Sequence, residues 1–341
     1  MTERAGKLIS LVAVVIMATT PACSAQDLNG AGASFPAPIY NKWFQEFKTA
    51  KNIAINYQAI GSGGGIKALQ EGTVDFGASD APMSDDEQSK LKGPAFHFPT
   101  VLGAVVLTYN LPEVTKQLML TGPVVADIYM GKITKWNAPE IAALNKGVTL
   151  PNKDILVVHR TDASGTTYIF TDYLTAVSPA WASGPGKGKD VKWAVGLGGA
   201  QNAGVMGQVR QIPGSIGYVE LQYAKENKVP YASLKNAAGS FIDPSIASVT
   251  AAAAGVASKL PPTTDFRVSI VNSPAPDAYP IASFTFLLVP EHWADAGKRD
   301  KFVEFLKWYL TDGEKEVEAL NFAPLPANVV GILQKRIPSI K

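Results

Sequence analysis

Apolar and polar residues follow two rhythms along this chain. Ile53, Ile55 and Tyr57 interleave with Asn52, Ala54 and Asn56, the period of a strand. Tyr40, Trp43, Phe44 and Phe47 fall at i, i+3, i+4 and i+7, which predicts a helix over 38–50 with one buried face. Gly61–Gly65 leads into a helical stretch carrying Ile66 and Leu69. Ser84-Asp85-Asp86-Glu87 has the capping-box spacing and opens a helix running to about Leu91. Val101–Tyr109, Ile155–His159 and Ile281–Val289 are apolar runs of strand length. Ile169, Phe170, Tyr173 and Leu174 share a face of a helix over 166–174. Residues 184–207 are glycine-rich and are expected to be irregular. An alanine-rich helix is expected over 246–260 and an amphipathic one over 302–310, with Gly313 placed to end it.

Strands alternating with helices predict an α/β fold with parallel or mixed sheets. The length, 341 residues, suits two domains at roughly 150 residues each. No repeat or low-complexity linker separates two halves, so the chain is expected to cross between them more than once. Val101–Tyr109 and Ile281–Val289 are the expected crossing strands.

Charge narrows the class. Lys and Arg number 31 against 29 Asp and Glu, too even a balance for binding nucleic acid by bulk electrostatics. One Cys and three scattered His (His97, His159, His292) exclude a disulfide framework and a Cys/His zinc site. Arg4 and Lys7 precede the apolar run Leu8–Ala18, too short for a bilayer span but fit for the core of a secretory signal. Cys23-Ser24-Ala25 places small residues before a cut after Ala25, making 1–25 a signal peptide. The mature chain then starts at Gln26 with net charge +1, since the segment removes one positive charge from +2. In the alternative, Thr20-Pro21-Ala22-Cys23 is a lipobox and Cys23 the lipidated N-terminus, although Thr20 stands where a Leu is usual.

Three strand-to-helix junctions share one chemistry: Gly30–Pro36, Gly61–Gly65 and Arg160–Thr166. Each sets small residues and a hydroxyl at a helix start, where about four N–H groups lack partners and the dipole is positive. That combination binds anions, and it is equally how an ordinary helix is capped. Asp80 ends the segment Val74–Pro82, either as a turn or cap residue or as part of a site. Gly30-Ala31-Gly32 lacks the third glycine of a dinucleotide fingerprint, and no strand clearly precedes it. The run 184–189 lacks the spacing of a P-loop.

The blocks GAGASFPAPIYNKW, IGSGGGIKALQEGTVDFGASDAPMSDDE, HRTDASGTTYIFT and KWAVGLGGAQNAGVMGQVRQIPGSIGYVE resemble the periplasmic phosphate-binding proteins of phosphate ABC transporters, the PstS family. The resemblance runs from about Gly30 to the C-terminal helices and is weaker over 232–280, expected to be variable surface. It implies a two-lobed periplasmic-binding-protein fold of type II, each lobe a mixed sheet flanked by helices, with the ligand in the cleft between. Lobe I would comprise 26–107 and 281–341, and lobe II 108–280. It implies inorganic phosphate as ligand, no cofactor or metal, and a monomeric periplasmic receptor serving permease subunits and their ATP-binding subunits. Carried onto this sequence, phosphate would be held by Ser34 (hydroxyl and N–H) and the Phe35 N–H, by Ser62, and by the Arg160 side chain. Ser164 (hydroxyl and N–H) and the N–H groups of Gly165 and Thr166 would complete the donors. Asp80 would accept the phosphate proton, and Asp162 would pair with Arg160. Ser34 stands where Thr is common, and Ala163 where Gly is common.

Two rivals remain at the level of residues. A Ser hydrolase needs a base beside its nucleophile, and no G-x-S-x-G elbow surrounds Ser62 or Ser164. His159 should point away from Arg160, because alternate strand residues face opposite sides. A binder of sulfate or molybdate on the same fold is opposed by Asp80, which only a protonated ligand satisfies.

Overall fold

The structure is a computed structural model describing residues 27–341. The signal segment 1–25 and the lipobox at Cys23 lie outside the described residues. Eleven strands are described: β1 Leu28–Gly32, β2 Ile55–Ala59, β3 Phe76–Ser79, β4 Ala95–Tyr109, β5 Met119–Leu120, β6 Leu156–Arg160, β7 Leu197–Gly199, β8 Ser215–Glu220, β9 Ser233–Lys235, β10 Phe241–Ile242 and β11 Ala282–Pro290. The helices are α1 Ala37–Lys51, α2 Ser62–Glu71, α3 Asp85–Ser89, α4 Gly122–Tyr129, α5 Pro139–Leu144, α6 Gly165–Val177, α7 Pro179–Ser183, α8 Gln201–Gln211, α9 Leu221–Glu226, α10 Ile246–Ala257, α11 Ala296–Tyr309 and α12 Ala327–Arg336.

Eight strands form one sheet in the order β2-β1-β3-β11-β4-β8-β6-β7. β4 joins its two halves. Its residues 95–104 pair antiparallel with β11, and Val105–Tyr109 pair antiparallel with β8. The halves thus share a strand instead of forming two separate sheets. β11 was expected to cross as well, yet it pairs only with β3 and β4; the chain returns to the first half just before it, where Val105 N–H donates to Ile281 O.

Each half carries an aromatic core. Trp43, Phe44 and Phe47 on α1 pack against Phe305, Trp308 and Tyr309 on α11. Tyr129, Phe170 and Trp193 surround Tyr218 in the other half. The predicted helices form, with α2 starting at Ser62 inside the glycine run and α11 at Ala296, ahead of Phe302, and α3 has the reciprocal Ser84–Glu87 capping box.

Four further expectations are corrected. Gly30-Ala31-Gly32 is itself the end of a strand, β1, whose ladder to β2 and β3 outweighs its glycines. Residues 184–207 are not wholly irregular: they contain β7 and the start of α8. Gly313 does not end α11, which closes at Leu310, but begins a short 3-10 turn and accepts from Trp43 Nε1 at 2.8 Å. Residues 232–280 are not only surface, because Val249, Ala252, Ala253, Phe266 and Tyr279 are buried.

Candidate functional site

All three junctions sit where a sheet strand runs into a helix: β1 into α1, β2 into α2, and β6 into α6. β1 and β2 run parallel to each other and β6, in the other half, runs antiparallel to them, so their C-terminal ends and the helix starts converge at the seam. A fourth start, that of α8 after β7, joins them. Gln201 just there has a φ of 60°, the left-handed conformation, and its N–H donates to Asp162 Oδ1 at 2.9 Å.

The convergence buries nearly every side chain singled out from the sequence. Ser34, Phe35, Ser62, Asp80, Arg160, Ser164 and Thr166 are all buried. The two halves touch here directly. Ser62 Oγ accepts from Gly165 N–H across the seam at 3.1 Å and from Asp80 N–H at 3.2 Å. Gly63 N–H donates to Ala163 O at 2.8 Å, and Tyr223 OH donates to Ser34 O at 2.6 Å. Gly165 has to be glycine: a Cβ there would lie 2.4 Å from Ser62 Oγ and 2.5 Å from Asp80 Oδ2. Gly61, at φ 89°, meets the same limit against Asp162 Oδ2.

Arg160 uses one edge of its guanidinium on Asp162, with Nε to Oδ1 at 2.8 Å and Nη2 to Oδ2 at 2.5 Å. Its Nη1 donates to Thr166 Oγ1 at 3.2 Å, so the other edge of the fork faces the junctions. Burial alone would raise the Asp162 carboxyl, but hydrogen bonds and charge from Arg160 and the Gln201 N–H hold it below the ordinary range. Asp80 is the opposite case. Burial pushes it up to about 7, offset in part by the Thr285 hydroxyl, which donates to Oδ1 at 2.7 Å.

Two predicted donors are otherwise engaged, one of them the Gly165 N–H on Ser62 Oγ. The Ser164 N–H donates to Lys189 O at 2.8 Å, which removes it from the expected donor set. The Ser164 hydroxyl oxygen caps α6 by accepting from Thr167 N–H at 3.0 Å, leaving its proton. His159 Nδ1 contacts Arg160 O at 3.0 Å and its ring stacks on Trp193.

Asn202 and Thr285 belong to the cluster and were not singled out. Asn202 reaches Ser34 Oγ and Thr166 Oγ1, and Thr285 reaches Asp80. Asn202 was visible only as part of the GGAQNAG block.

A sheet of two halves joined by one shared strand, with helix starts meeting at their seam, defines a periplasmic-binding-protein fold. The model of the PBP superfamily domain matches residues 18–312. The phosphate-binding protein PstS of Xylella fastidiosa (strain Temecula1) is 43% identical over 317 residues, 92% of this chain and 86% of its own. PstS of Haemophilus influenzae is 41% identical over 326 residues, 95% of this chain and 96% of its own. The chain belongs to the PstS family of phosphate-binding proteins. Among solved structures, a high-affinity periplasmic phosphate-binding protein, PfluDING, bound with phosphate, superimposes with a TM-score of 0.71. Its identity is 20%, covering 91% of this chain and 93% of that one, a likeness of fold.

Proposed function

We propose that this chain binds inorganic phosphate between two lobes and delivers it to the permease of a phosphate ABC transporter. Lobe I comprises 26–107 and 281–341 and supplies Ser34, Phe35, Ser62 and Asp80. Lobe II comprises 108–280 and supplies Arg160, Ser164, Gly165 and Thr166, with Asp162 orienting Arg160. The chain acts outside the cytoplasm as a monomer, exported by residues 1–25 or tethered through Cys23, and passes its ligand to permease subunits driven by ATP-binding subunits.

One observation carries this reading: Asp80, which with Glu220 is one of two buried carboxyl groups among the described residues, stands among converging helix N-termini and hydroxyl donors. The lone site cation is already paired with Asp162, so a dianion would be held by dipoles and hydrogen bonds more than by net charge. Phosphate retains a proton near neutral pH and sulfate does not. A carboxylate acceptor therefore satisfies the first and repels the second. Relatives named as binding proteins, not enzymes, support a receptor without chemistry of its own.

Calorimetry of the mature chain with phosphate, arsenate and sulfate tests this. Tight binding of phosphate, weaker or equal binding of arsenate and exclusion of sulfate is expected. Equal affinity for sulfate and phosphate above neutral pH would refute it.

A further inference from the structure

The Asn202 side chain, fully buried, joins both halves of the site. Its Oδ1 accepts from Glu220 N–H at 2.9 Å. A backbone N–H can only donate, so the amide cannot be turned the other way, and its NH2 must face the two hydroxyls. Nδ2 donates to Ser34 Oγ at 2.9 Å and to Thr166 Oγ1 at 3.1 Å. Ser34 Oγ accepts a second bond from Asn202 N–H at 3.2 Å, and Thr166 Oγ1 a second from Arg160 Nη1 at 3.2 Å.

A hydroxyl has two lone pairs and one proton. In Ser34 and in Thr166 both lone pairs now face fixed donors, so the proton is the one hydrogen-bonding group left to offer. Ser and Thr are otherwise ambivalent and could accept from a protonated ligand oxygen as readily as donate to a bare one.

We propose that Asn202 is the positioning residue that makes Ser34 and Thr166 obligate donors. It thereby removes two hydroxyls that could compete with Asp80 for the protonated oxygen of the ligand. This rests on the phosphate-binding reading above. Asn202 need not touch the ligand; it acts through two hydroxyls from opposite lobes. Replacing its NH2 by a carboxylate oxygen would reverse both. The carboxylate would take the hydroxyl protons, and the lone pairs would turn toward the anion.

The test is calorimetry with inorganic phosphate on the full mature chain at acid and alkaline pH, with thermal unfolding as a check on folding. Asn202→Asp should weaken phosphate binding by ~100-fold or more at alkaline pH. Part of the loss should return at acid pH, because a ligand with more protons suits acceptor hydroxyls. A purely structural role would not move that pH profile. Asn202→Leu should cost about tenfold in the parent but under about twofold once Ser34→Ala and Thr166→Val have removed both hydroxyls. If Asn202→Asp does not fold, this cycle carries the test alone. Equal costs of Asn202→Leu in the two backgrounds, or an unchanged affinity and pH profile in Asn202→Asp, would overturn the inference and leave the functional reading intact. Absence of phosphate binding by the parent would overturn both.

Discussion

The two faces of the seam each hold one of the proposed site aspartates, and the two are tuned in opposite directions. On the first face Asp80 is buried with a hydroxyl partner, Thr285, and its carboxyl rises to about 7. On the second face Asp162 is clamped along the edge of Arg160 and lies below the ordinary range. Burial raises both; what differs is the partner. A carboxylate held by a guanidinium stays an anion and cancels much of the cation's charge. A carboxylate held by a neutral hydroxyl remains free to exchange a proton near neutral pH. On the proposed reading the second face would supply geometry with little net charge, and the first would supply discrimination.

Substitutions that exchange these roles should show the largest effects. Asp80→Asn removes the repulsive acceptor and can donate to either ion. It should erase most of the preference for phosphate over sulfate, a change of roughly four decades in relative affinity, read by competition titration. An unchanged preference would return Asp80 to the role of a turn cap. Gly165→Ala places a methyl between the faces, against Ser62 and Asp80. Phosphate affinity should fall by ~10- to 100-fold, with thermal stability little changed if the two faces part as the proposed closure requires.

The pH dependence follows from Asp80. Its carboxyl titrates near 7, above its ordinary value. Above that pH it is charged and repels sulfate; below it, the protonated acid can donate to sulfate. The preference for phosphate should therefore shrink as pH falls through about 7, and a ratio flat across that range would contradict the assignment. The smallest effect belongs to the rim. Lys189 pairs with Glu87 across the cleft mouth, both side chains partly exposed. Lys189→Met should change phosphate affinity by no more than about fivefold, the range of a partly exposed ion pair.

The legibility of these features in sequence follows their range. The three junctions were legible because cap, glycine and hydroxyl lie within a few residues of each other. Asp80 stood out for the same local reason. Thr285, 205 residues from Asp80, carries no local mark of that contact. Asn202 was hidden because α8 is poor in apolar periodicity and contains Gly204 and Gly207, which weaken a helix. The early part of β4 was obscured by Pro99, which reads as a break. In the fold the register shifts there: Thr285 pairs with Val101 and Phe286 with Pro99, leaving Thr100 in a bulge. Thr100 then donates to Thr285 O, so the irregularity lies directly behind Asp80.

The central claim is that each lobe holds half of one anion site, so the ligand closes the cleft. Solution scattering tests this most directly, on the parent and on Gly165→Ala, each with and without saturating phosphate. The parent with phosphate should have the smallest radius of gyration of the four samples, and Gly165→Ala should contract little. Equal radii in all four, with calorimetry confirming that the parent is saturated, would contradict a ligand shared between lobes.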